Sequence, residues 1–75
     1  LTATLNNKVT IATEVAFYVR SNADLPRSRA YAISQGALLL LDESEDFFRG
    51  TSELTVEAWA YRCERLFERK GMTLD

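Results

Sequence analysis

The most regular pattern along the chain lies near its end, where Val56, Trp59, Ala60, Cys63, Leu66 and Phe67 recur at steps of three and four residues. That spacing predicts one buried face of a helix. Ser52 or Thr55 can serve as its N-cap, with Glu53 and Glu57 near the positive end of the helix dipole. Arg69 and Lys70 suit the negative end, and Gly71 can take the left-handed conformation that closes a helix.

The middle of the chain is richer in apolar residues. Ala30, Ile33, Ala37, Leu40, Leu41, Ser44, Phe47 and Phe48 fall within an arc of roughly 120° on a helical projection. Pro26 is tolerated at such a helix's start, where no backbone N–H is needed. Asp42, Glu43 and Asp46 lie outside the arc, while Tyr31, Leu38 and Leu39 point away from the Ile33/Leu41 stripe and make the helix apolar on more than one side. Acids in a last turn oppose the dipole. The helix therefore has reason to break near Asp42, where "DESE" fits a capping box and Phe47, Phe48 and Arg49 would form a short extra turn ending at Gly50.

The first segment reads two ways. As a helix it buries Leu5, Val9, Ala12, Val15, Ala16 and Val19 and leaves Ile11 and Phe17 off the face. As a strand it aligns Val9, Ile11, Val15, Phe17 and Val19 by alternation, with a turn at Leu5 to Lys8. Such a strand would run ~12 residues, about twice the usual length. The helical reading is preferred. The expected fold is all-α, a small antiparallel three-helix bundle forming a single domain over 1–75; the alternative is α+β, an N-terminal β-hairpin followed by two helices.

Composition agrees with a folded chain, since 47% of the 75 residues are hydrophobic and 27% charged. So short a chain has little core, and its one cysteine, with no histidine, supplies neither an internal disulfide nor a zinc ligand set. Self-association is the remaining means of support. The longest apolar run, Ala37 to Leu41, is far below the ~20 residues of a membrane span, so no membrane role is expected. No secretory leader opens the chain, and a free thiol suits the cytoplasm, the expected location. The chain opens on Leu1 rather than methionine, which allows for a longer natural chain.

Candidate chemistry is sparse. Without histidine no Ser-His or Cys-His pair can form, and Lys8 and Lys70 stand at segment ends, so no enzyme, catalytic residue, metal or cofactor is expected. Asp42, Glu43, Glu45 and Asp46 lack the glycine-centred spacing of a calcium loop and read as a solvated face. Ala32 to Gly36 matches the A-x-x-x-G core of a helix-turn-helix motif. The helix that would follow is made of leucines and acids, unsuited to a groove lined by phosphates, so Gly36 reads instead as a point of close helix packing. Trp59 and Cys63 read as core, and Tyr61, Glu57, Arg65 and Glu68 as the exposed side of the last helix.

The function expected from these residues is a small regulatory or protein-protein interaction module that self-associates as a homodimer. Its interface would comprise Tyr31, Leu38 and Leu39, rimmed by Asp42 and Asp46. The alternative is a nucleic-acid-binding transcriptional regulator whose Arg20, Arg27 and Arg29, around the first loop, contact phosphates with help from Lys8. Those arginines could equally meet an acidic partner, including the acids of a second subunit. A net charge of −2 gives the nucleic-acid alternative no general cationic footprint.

Overall fold

The structure, a computed structural model, describes residues 7–51 and 53–70. Among them are three α-helices and no strand: α1 (Lys8–Ser21), α2 (Arg27–Leu39) and α3 (Val56–Arg69), with 3-10 turns at Leu40–Asp42 and Glu45–Phe48 between the last two. The all-α three-helix expectation holds, and the hairpin alternative does not. Asn7, placed in a hairpin turn by that alternative, is instead the N-cap of α1, its Oδ1 accepting from the Thr10 amide at 2.8 Å.

The helix faces differ in how well their apolar pattern foretells them. In α3 the buried residues are Trp59, Ala60, Cys63, Leu66 and Phe67, all on the expected face, and the Thr55 hydroxyl caps the helix by accepting from the Ala58 amide at 3.1 Å. Ser52 and Gly71, the other terminal signals, lie outside the described residues, as does Leu5. In α1 the face is turned from its expected position. Ile11 and Val15 are fully buried, whereas Val9 is 63% exposed. Apolar residues surround this helix, so contact with α2 and α3 selects the buried set; Phe17 stays outside, as expected.

The middle segment breaks, and earlier than the acids alone require. α2 ends at Leu39, the chain tightens into 3-10 geometry at Leu40, and Glu43 is extended. The expected capping box is not formed: Ser44 is the N-cap of the second 3-10 turn and makes no side-chain capping bond. Tightening also swings Leu41 outward to 40% exposure, against its expected place in the core. Lys8 holds this junction from α1. Its Nζ donates to the Leu41 carbonyl at 3.1 Å and the Glu43 carbonyl at 2.9 Å, giving helix-end acceptors a cationic partner.

Phe47 and Phe48 lean on the face of Trp59, with ring centroids at 6.4 and 5.7 Å, and so cover the open end of the core. Gly50 ends this segment at φ 74°, a conformation that suits glycine. Thr51, the next residue, is buried, and its hydroxyl donates to the Phe48 carbonyl. The centre of the bundle is formed by Ile11, Val15, Ile33, Ala37, Leu40, Trp59, Ala60, Cys63 and Leu66. Trp59 Nε1 is buried without a hydrogen-bond partner among the described residues, so Trp59 stabilises the bundle through apolar burial rather than through its donor.

Candidate interaction surface

Once Ile33, Gly36, Ala37 and Leu40 face inward, helical geometry fixes what α2 turns outward. Tyr31 and Leu38, seven residues apart, share that outer face and are 45% and 59% exposed. Tyr31 does not stand alone: its ring meets Phe67 edge-on at 5.9 Å, which holds it as a flat ledge beside α3. Leu41 extends the apolar strip past the end of the helix. Leu39 departs from the expected interface, because it is half-buried and packs against the core.

Charge is distributed unevenly around this strip. Arg27 begins α2 on the same face as Tyr31, and Asp42 follows its end; both are exposed, and neither joins an ion pair among the described residues. Asp46 is already taken by Arg49 at 2.7 Å, though both groups are well exposed, so that pair holds its geometry weakly. Glu43 reaches Lys70 at 3.3 Å. No group of three or more carboxylate or cysteine side chains that could hold a metal ion occurs among the described residues.

The first-loop arginines are not equivalent. Arg29 forks onto the Glu64 carboxylate, with Nε and Nη2 donating over 3.1 to 3.3 Å, and thereby bridges α2 to α3. Arg20 and Arg27 remain exposed on either side of a loop whose shape is set locally by the Asn22 carbonyl oxygens: Oδ1 accepts from the Asp24 amide and the backbone oxygen from Leu25. Lys8 is turned away from them, committed to the carbonyls of Leu41 and Glu43.

A second surface escaped the sequence reading. Arg62, Arg65 and Arg69 line a cleft with Tyr61, Leu66 and Phe47, the last contributed by the second 3-10 turn. The arginines alone were legible as one helical face through their three- and four-residue steps. What the sequence does not display is that Phe47 folds back against them. On the inner side of α3, burial pushes the Cys63 thiol up to about 12, so it is a protonated core side chain rather than a nucleophile.

No helix among the described residues is long and apolar enough to cross a membrane. No protein-family model, curated protein or solved structure matches this chain.

Proposed function

We propose that this chain is a non-enzymatic interaction module whose partner is a second copy of itself, docked through the outer face of α2. One observation carries the reading: an exposed apolar strip, Tyr31 and Leu38, lies between charges of opposite sign, Arg27 and Asp42, that are unpaired among the described residues. The order of these residues is symmetric. Arg27 precedes the midpoint of Ser34 and Gln35 by as much as Asp42 follows it, and Tyr31 and Leu38 flank the same midpoint equally. Two copies of α2 laid antiparallel about a two-fold axis therefore bring Tyr31 beside Leu38 of the partner subunit, and Arg27 to the end of the partner helix, where the 3-10 turn carries Asp42 of the partner subunit. An isologous interface requires this kind of self-complementarity. Leu41 joins the apolar strip, and Asp46 stands on the rim.

The contact is modest in extent, since α2 is only about 20 Å long at 1.5 Å per residue. An interface below ~1,200 Å² is characteristic of weak or transient association, so the dimer is concentration-dependent, as a regulatory module needs. A cytoplasmic setting belongs to the same proposal and rests on the single cysteine being a buried thiol. The loop arginines give less support to nucleic-acid binding, because Arg29 is engaged by Glu64 and Lys8 by backbone carbonyls.

The test is absolute mass by light scattering on a sizing column over a range of concentration. Mass should climb from the 8.5 kDa of the monomer toward twice that value. Leu38→Asp should hold the chain monomeric. Arg27→Asp and Asp42→Arg should each weaken association, and the two together should restore it. A monomer at every concentration, or a Leu38→Asp variant that associates like the wild type, would overturn the reading.

A further inference from the structure

The outer face of α3 presents three guanidinium groups, and two of them contact aromatic side chains. The Arg62 guanidinium carbon lies 5.6 Å from the centroid of Trp59, and that of Arg65 lies 5.7 Å from the centroid of Tyr61. Arg65 Nη1 also donates to the Tyr61 hydroxyl at 2.8 Å. The hydrogen bond sets Arg65 beyond the hydroxyl end of the Tyr61 ring, the Trp59 ring lies beside Arg62, and both guanidinium groups keep donors free for a ligand. Arg69 continues the same face one turn further on. The acidic group that pairs with this face among the described residues is Glu68, 3.9 Å from Arg65 and itself well exposed, so it offsets little of the charge. In a chain of net charge −2, this is a concentrated positive patch.

The patch is also concave. Phe47, Tyr61 and Leu66 complete a cleft of about 310 Å³ around the arginines, large enough for a small ligand and partly apolar. Three guanidinium forks lining one cleft suit the several oxygens of a phosphate group better than a lone carboxylate, and the rings of Phe47 and Tyr61 offer apolar contact to a flat ring. We propose that this cleft binds a nucleoside phosphate, its phosphate on Arg62, Arg65 and Arg69 and its base against Phe47 and Tyr61. The site lies on α3 and does not use the α2 strip of the dimer.

The experiment is calorimetric titration of the intact chain with AMP, adenosine, ribose 5-phosphate, inorganic phosphate and phosphotyrosine. Emission from Trp59, the single tryptophan, is followed in parallel because it lies beneath Arg62. AMP should bind saturably and more tightly than any of the other four, and its affinity should fall as salt is raised. Because Arg65 and Arg69 are exposed, Arg65→Gln/Arg69→Gln should keep the helical circular dichroism of the wild type while weakening AMP by ~10-fold or more. Leu38→Asp should bind AMP normally, which separates this site from the dimer. Absence of saturable AMP binding would overturn the proposal, as would AMP affinity unchanged in the double variant. AMP no tighter than inorganic phosphate would reduce the cleft to a simple anion contact, and tighter phosphotyrosine would assign it to a modified protein; either result refutes a nucleoside phosphate site.

Discussion

Gly36 on α2 lies directly against the backbone of Cys63 on α3: a Cβ at Gly36 would stand 2.9 Å from the Cys63 Cα and closer still to its carbonyl. The obstacle is backbone, which cannot swing aside as the end of a flexible side chain can. Gly36→Ala gains ~1 kcal/mol of helix propensity. Overpacking should outweigh this gain and leave the variant destabilised by ~1 to 3 kcal/mol, because the two helices must separate. In a domain of this size each ~1 kcal/mol lowers the melting temperature by about 4 to 8 °C. Thermal unfolding followed by circular dichroism measures the difference, and an unchanged or raised Tm would show that α2 and α3 are not in such close contact.

Leu38 and Leu39 are adjacent yet belong to different environments, one exposed and the other packed on the core. At a dilution where the chain is monomeric, Leu38→Asp should melt within a few degrees of the wild type, since its carboxylate stays in water. Leu39→Asp brings an unpaired charge to the core edge and should lose ~2 kcal/mol or more, equivalent to a Tm lower by roughly 10 °C. If both variants unfold alike, Leu38 is not the surface residue on which the dimer proposal depends.

Lys8 couples the first helix to the end of the second through two carbonyl oxygens. Lys8→Met keeps much of the aliphatic stem and removes the ammonium, which should cost ~1 to 2 kcal/mol, the range of a charged hydrogen bond to partly exposed acceptors. Urea unfolding should show the midpoint lowered and the slope unchanged. No change in midpoint would mean that water replaces the ammonium at no cost.

The contrast between α1 and α3 explains what the residue pattern could and could not convey. Charged residues occupy most of α3 outside the core face, so one orientation buries Trp59, Cys63 and Leu66 and any other buries arginine or glutamate. In α1 the residues Val9, Ile11, Ala12, Val15, Ala16, Phe17 and Val19 circle the helix. Periodicity there identifies a helix without fixing its rotation, and packing makes the choice of Ile11 over Val9. Leu41 was misplaced for a different reason, because a projection at constant pitch cannot anticipate the tightening at Leu40. The outward face of Tyr31 and Leu38 was legible, being the complement of a readable core stripe. The arginine cleft depends on Phe47 arriving from another element, a relation that no local pattern encodes.

Cys63 gives the fold a dependence on alkaline pH. Its thiol has an ordinary value of 9.0, and burial pushes it up to about 12 in the folded chain. Below pH 9.0 both folded and unfolded chains keep the proton, so the residue adds no pH dependence. Between 9.0 and about 12 the unfolded chain releases the proton and the folded chain retains it, so stability falls as pH rises. The loss should reach ~1.4 kcal/mol for each pH unit in that window. The informative quantity is a comparison with Cys63→Ala, which removes the thiol alone. That variant is less stable at neutral pH because of the cavity it leaves, but its stability should decline less steeply above pH 9.0. Urea midpoints measured for both proteins at neutral and alkaline pH give the two slopes. The native thiol should also resist a thiol-reactive dye until urea opens the bundle. Equal alkaline slopes, together with immediate labelling of the native chain, would place Cys63 at the surface and undo the packing of α3 against Gly36.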